Sequence, residues 1–263
     1  MLKSVLTAAV ILGIAAATPA RAGNIVLTGH DNDFHQSSDA NAQALASLKF
    51  VRNGSTLPVL TFDEGSQLTS LLTALGIAFT NVNPATASNI TDALFNNTIY
   101  SAFAVASNTN CGGCDNQTAD AANIATHGTA IAAFFNAGGG IYGLTAANDP
   151  NGYAYVPQTA SNPGGTPSST GHVQTAAGAA LGIPAVNGDA THNFFSTPGT
   201  AGLSALYQVV ETQGLGGTPL TVALSNGKID GGGIIGGTSV PEPASLALLG
   251  LGLLGLSAAR RRG

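Results

Sequence analysis

The stretch YSAFAVAS, residues 100–107, is apolar at nearly every position. A strand with one wet face alternates polar and apolar residues, whereas a strand covered by helices on both faces reads as a near-continuous apolar run. Residues 100–107 therefore predict a central strand of a parallel sheet, and the flanking segments agree. Upstream, 24–28 (NIVLT), 57–62 (LPVLTF) and 77–82 have strand character, with helical patterns over 39–51 and 66–75 between them. Asp39 is placed to cap the first helix and Gly76 to stop the second. Pro58 puts 57–62 at a sheet edge, because proline donates no ladder bond. Downstream, an Ala-rich helical pattern over 117–136 runs into Gly138-Gly139-Gly140 and then a strand at 141–145. This alternation predicts an α/β domain over 23–230, a flavodoxin-like three-layer arrangement with a mostly parallel sheet.

The rest of the body is less regular. Asn, Pro, Gly, Ser and Thr dominate 148–171, which reads as a long loop with local pairing at 153–156. Strands are predicted at 207–212 and 220–224, and Asn226-Gly227 signals a hairpin turn into 228–235. Residues 231–239 read as a Gly-rich linker. No repeat of fixed period occurs, which argues against a solenoid or propeller.

Of 263 residues only 8% are charged, 44% are hydrophobic and 35 are Gly, which suits a tightly packed core with small side chains. The net charge of -5 is unevenly spread. Lys3, Arg21, Arg260, Arg261 and Arg262 lie in the two ends, leaving Lys49, Arg52 and Lys228 against twelve acids from Asp31 to Asp230, a net of -9. A surface so poor in cations cannot neutralise phosphates, so nucleic acid is excluded as a partner.

Both ends read as addresses. Residues 1–22 combine Lys3, an apolar run over 5–17, Pro19 and the triplet Ala20-Arg21-Ala22, the pattern of a signal peptide cut by signal peptidase before Gly23. At the other end Val240-Pro241-Glu242-Pro243 precedes an uncharged run over 244–259 and then Arg260-Arg261-Arg262. Sixteen helical residues span about 24 Å, marginal for a hydrocarbon core of about 30 Å. An apolar run followed by arginines holds the chain in the inner membrane as an intermediate, with the body outside.

This tail, 240–263, resembles the PEP-CTERM sorting domain of Gram-negative bacteria, with its Pro-Glu-Pro signature, short transmembrane helix and Arg cluster in order. The resemblance implies recognition by an exosortase, removal of the tail near Pro241-Glu242-Pro243, and secretion to the cell surface or an exopolysaccharide (biofilm) matrix. The body resembles the class I glutamine-amidotransferase-like fold of the trehalose-utilisation type. That resemblance rests on Gly29-His30 after the first strand, Ala137-Gly138-Gly139-Gly140-Ile141-Tyr142-Gly143-Leu144, and Thr191-His192-Asn193-Phe194. Enzymes of that family carry a nucleophilic Cys after the Gly-rich strand, where this sequence has Leu144 and Thr145, so no catalytic residue is carried over.

Two clusters carry chemistry. His30-Asp31-Asn32-Asp33-Phe34-His35 falls where the first strand ends, the edge at which parallel α/β sheets form ligand crevices. His30, Asp31, Asp33 and His35, with His192 if the fold brings it near, could hold a divalent metal; the spacing matches no EF-hand or zinc-protease motif, and a polar loop bonding its own backbone is the competing reading. Cys111-Gly112-Gly113-Cys114 lies between a strand and a helix, where redox pairs occur. Export to an oxidising compartment and the nearby Asp115 and Asp120 favour a structural disulfide instead. His127 and His172 read as structural. No phosphate loop and no Gly-x-Ser-x-Gly elbow is present.

Two functions remain. The first is an exported, non-catalytic structural or binding domain at the surface or in extracellular polysaccharide, without a cofactor. The alternative is a metal-assisted hydrolase or glycan-modifying enzyme built on the His30–His35 cluster.

Overall fold

The computed structural model describes residues 22–108, 111–147, 149–163, 169–189 and 191–236. The signal-peptide and sorting-tail readings lie outside the described residues, except for Ala22. Among the described residues no helix is long and apolar enough to cross a membrane.

Five short strands, β1 (Gly23–Thr28), β2 (Val59–Phe62), β3 (Phe79–Val82), β4 (Ala102–Val105) and β5 (Gly140–Gly143), lie parallel in the order β3-β2-β4-β5-β1. The 100–107 run supplies β4, whose four residues are all buried, between β2 and β5. Beyond β1 the sheet continues antiparallel through β10 (Pro219–Asp230), β9 (Gln208–Gln213) and β7 (His172–Gln174), and β11 (Gly233–Gly236) folds back on β10. Two strands, β6 (Ser161–Pro163) and β8 (Asn193–Phe195), pair separately.

Helices cover both faces. α2 (Ser38–Arg52), α3 (Gln67–Ala74) and α6 (Ala176–Leu181) lie on one side, where Ala44, Leu48, Val51, Leu68, Leu71 and Leu72 pack on Val26, Val59, Ala104 and Tyr142. α4 (Thr118–Ala125) and α5 (Gly128–Asn136) cover the other, where Ile124, Ile131, Phe134 and Phe135 meet Ile25, Leu60, Phe103 and Ile141. Alternate strand residues feed the two cores, as the period of two requires.

The sheet is thus mixed, parallel in one half and antiparallel in the other. Flavodoxin-like sheets run 2-1-3-4-5; here β1 stands beyond β5, so that expectation is corrected. Short connections make β9–β10 and β10–β11 antiparallel, since neighbouring strands joined by a few residues cannot be parallel, whereas β1–β10 and β7–β9 pair antiparallel across long stretches of chain.

Five local expectations also change. Pro58 sits just before β2 rather than inside it, so β2 loses no ladder bond and takes an interior position between β3 and β4. Helix α2 is capped by Ser37, whose Oγ accepts the Ala40 N–H at 3.1 Å, and not by Asp39. The 117–136 pattern is two helices, because His127 leaves the helical region and its Nδ1 pairs with Asp92 Oδ1 at 2.6 Å. Asn226-Gly227 makes no hairpin: β10 runs through it with an irregular register opposite β1, where Asn226 takes φ +51° and donates its N–H to Asn24 Oδ1 at 2.9 Å. The turn is Gly231-Gly232, both at positive φ, and 233–236, read as linker, is strand β11.

Candidate functional site at the carboxyl edge of the sheet

Helix α3 leaves β2 toward one face and α4 leaves β4 toward the other, so these adjacent strands part their chains at the carboxyl edge, the usual place for a crevice. The loop after β1 occupies this edge. Gly29 is required there by close approach: a Cβ at that position would stand 2.1 Å from the Asn193 carbonyl oxygen. Through this contact the 191–193 segment lies across the end of β1, with the His192 N–H donated to the Gly29 carbonyl at 2.8 Å and Thr191 bridged to His30.

Next comes a single turn, α1 (Asn32–His35), preceded by Asp31. Positions four apart share a helical face, so Asp31 and His35 meet. His35 Nδ1 is 3.0 Å from Asp31 Oδ1 and also touches Asp189 Oδ1, while His192 Nε2 stands 3.2 Å from Asp31 Oδ2. Both carboxylates are buried, whereas the His35 side chain is 43% exposed and that of His192 14%, so the imidazoles form the mouth. Neither oxygen of Asp189 has a hydrogen bond of proper geometry among the described residues.

The electrostatics follow from this packing. Burial pushes the Asp189 carboxyl up to about 6, with Asp31 adding to the rise and His35 opposing it. Burial also works to raise Asp31, but the adjacent His192 and His35 hold it below the ordinary carboxylate range. Burial alone would lower His35; the charges of Asp31 and Asp189 outweigh it and leave His35 raised.

Two of the five candidate ligands are committed elsewhere. His30 turns into the core, where its Nε2 meets Glu211 Oε2 at 3.1 Å. The Glu211 carboxylate also accepts Gln43 Nε2 at 2.8 Å, Thr221 Oγ1 at 2.7 Å and the Val186 N–H at 2.7 Å. His172 lies beside this pair, its ring 5.1 Å from that of His30 and its Nδ1 on the Val186 carbonyl. Asp33 accepts the Ser107 N–H at 2.9 Å and the Ser107 hydroxyl at 2.6 Å, tying the β1 loop to the β4 loop, and burial pushes its carboxyl up to about 7 against those bonds. The site is therefore Asp31, His35 and His192 with Asp189, a residue the sequence reading did not single out.

Cys111 and Cys114 form a disulfide beside the site. Cys114 Sγ is 3.6 Å from Asp31 Oδ2, but a disulfide sulfur has no proton to donate, so the loop is a wall of the crevice. Phe34 packs on Gly113 of the same loop, where a Cβ would stand 2.7 Å from its ring. Leu144 and Thr145 are both buried, and the Thr145 hydroxyl is spent on Asn193 Oδ1. A separate cleft of about 560 Å³ between α5 and the end of β10, lined in part by Tyr155, Ile229 and Asp230, contains none of these groups.

The arrangement offers two buried carboxylates and two partly exposed imidazoles around one point, suited to holding a cation or a proton. Residues 239–262 match the PEP-CTERM protein-sorting motif. The chain thus carries the tail of an exported protein processed by an exosortase and destined for the surface or the extracellular space. No curated protein and no solved structure matches the chain, so the amidotransferase-like resemblance of the body has no counterpart there.

Proposed function

We propose that this is an exosortase-sorted surface or extracellular-matrix protein whose α/β domain is a non-catalytic structural or binding module. The sorting motif at 239–262 carries the reading. In this account signal peptidase removes the amino-terminal segment, the apolar tail holds the chain in the inner membrane, and exosortase cleavage near Pro241-Glu242-Pro243 delivers the domain to an extracellular polysaccharide matrix. The amidotransferase-like scaffold is part of the proposal, without amidotransferase chemistry, because Leu144 and Thr145 stand where the nucleophile would be.

The test is a chain truncated after Val240, compared with the full chain in cells that possess an exosortase. The truncated protein is expected to leave the surface fraction, and the mature full-length product is expected to have a carboxyl terminus near residue 243 by mass. Unchanged surface retention of the truncated chain would contradict the proposal.

The metal-assisted alternative keeps one supporting observation, the convergence of Asp31, His35 and His192 at a half-open mouth. It loses His30, which is fully buried with its Nε2 on Glu211, and Asp33, whose carboxylate accepts both Ser107 donors in the core.

A further inference from the structure

We infer that the carboxyl-edge cluster is a binding site for a divalent transition-metal ion of the zinc or manganese class, ligated by Asp31, His35 and Asp189 with His192 at its border. This inference goes beyond the sorting proposal and does not depend on it.

Geometry comes first. One ligand atom from each of Asp31, His35 and Asp189 lies within 4.8 Å of the other two. Oxygen and nitrogen ligands about 2.0–2.2 Å from a common ion are separated by no more than about twice that distance, so small adjustments bring all three onto one centre. Two separate pieces of chain supply the set: the turn 31–35 that follows β1 and the loop before β8.

Asp189 gives the independent sign of a missing partner. It is 1% exposed, and neither carboxylate oxygen is hydrogen-bonded in good geometry among the described residues. Asp189 Oδ1 touches only the His35 Nδ1 that the buried Asp31 also claims, and burying two carboxylates against one shared imidazole nitrogen is costly. A divalent cation neutralises both charges at once and replaces the proton on His35 Nδ1.

The donor set selects the ion. Imidazole with carboxylate favours zinc, manganese and their neighbours, whereas calcium and magnesium prefer all-oxygen sites. Thiolates are absent while Cys111 and Cys114 are bonded to one another. The other close group of ligand types, His30, His172 and Glu211, is buried throughout, and Glu211 already accepts four hydrogen bonds. It has no lone pair directed at an ion and no exposed entrance.

The test uses the untagged, oxidised full chain in detergent, stripped with a chelator and dialysed against zinc, manganese or calcium. One equivalent of zinc or manganese per chain is expected, with calcium bound at least tenfold more weakly. At a hundredfold excess over Kd the melting temperature should rise on the order of 5 °C. His35→Ala and Asp189→Asn should each weaken binding tenfold or more, and His127→Ala should leave it unchanged. Asp189→Asn without metal should melt within a few degrees of the parent, since one of the two buried carboxylates that share the His35 imidazole is removed and Asp31 still pairs with it; this separates lost binding from lost folding. Binding of neither zinc nor manganese, binding unaltered in both variants, or binding only after a phosphine reductant opens the disulfide would overturn the inference. Loss of surface sorting on tail deletion leaves these outcomes untouched.

Discussion

His30 Nε2 lies 3.1 Å from Glu211 Oε2, and neither side chain has exposed surface. The pair crosses from the end of β1 to β9, and Gln43 of α2 and Thr221 of β10 complete the ring of groups around the carboxylate. It is the polar core of the antiparallel half. All four partners of Glu211 donate to it, so the site is built for a carboxylate and for nothing that carries an N–H.

Glu211→Gln is accordingly expected to be severe despite its near-identical shape, because its amide NH2 would face donors. Breaking a buried pair by altering one partner costs about 3–5 kcal/mol. The pH dependence has a definite sign. Burial acts to lower His30, but Glu211 outweighs it and raises it, so the stability gained from charging His30 is present at low pH and fades as pH rises through its folded value. Burial acts to raise Glu211, yet His30 and the hydrogen bonds hold it low, so its contribution is lost only in strong acid. The gap between parent and variant in urea unfolding should be wider at pH 5.5 than at pH 9. Equal gaps would show that His30 is neutral throughout.

Helix α3 receives its cap from another loop. Asp115 Oδ2 accepts the N–H groups of Ser66 and Gln67 at 2.7 and 2.8 Å, directly after the Cys111–Cys114 bridge. Gly65→Ala is expected to expel that carboxylate, since the new Cβ would stand 2.3 Å from Asp115 Cγ. Loss of the cap should cost about 1–2 kcal/mol. Asp115→Ala should cost a similar amount, and the double variant little more than either alone. Additive losses in thermal unfolding would show that the two residues act separately.

Asp63 stands next to this cap, and burial, aided by Asp115, pushes its carboxyl up to about 6, against the N–H bonds from Thr69 and Gly65. A raised carboxyl favours the folded state when protonated, so this group's contribution falls as pH climbs from about 4 to 6. Asp63→Asn should therefore gain on the parent between pH 4 and pH 7.5, by on the order of 2 kcal/mol at about 1.4 kcal/mol per pKa unit. Urea midpoints at the two pH values measure it. A constant difference would place the Asp63 carboxyl in its ordinary range.

Some of this was legible in the sequence and some could not be. β1, β4 and β5 declared themselves because strands covered on both faces are apolar throughout, and α2 and α3 because their apolar spacing is helical. The order of strands was not written locally: nothing in NIVLT says that its antiparallel neighbour comes from residues 221–227, nearly 200 positions away. For the site, Asp31 and His35 were visible as a dense polar run after a strand, and His192 as a segment of resemblance. Asp189 is a lone acid in a Gly-containing loop with no local signal. Glu211 had one, a charge inside the apolar run Val209-Val210-Glu211, where an interior strand position calls for a buried partner.

Gly29 links strand geometry to the site. Gly29→Ala is expected to push the 191–193 segment off the end of β1, because the Asn193 carbonyl already fills the space of a Cβ. Overpacking of this kind costs about 1–3 kcal/mol. The local readout is amide exchange: the His192 N–H, bonded to the Gly29 carbonyl, should exchange faster by more than the global loss of stability accounts for. Exchange at His192 that tracks global stability alone would mean the segment is held by other contacts.

The Gly-rich stretch after Asp230 separates a linker from a strand by experiment. In a linker, Ile234 would be exposed and its truncation neutral. In the structure it lies opposite Ile229 across the β10–β11 pair, is 5% exposed, and belongs to the same apolar cluster as Phe134 and Phe135. Ile234→Ala should therefore cost about 2 kcal/mol, the lower end for a buried isoleucine because the strand is short and peripheral. Ile235→Ala should cost little, since Ile235 faces outward at 43% exposure. This alternation of effect between adjacent isoleucines is the period of two of a paired strand, and equal small losses at both positions would return residues 233–236 to the linker.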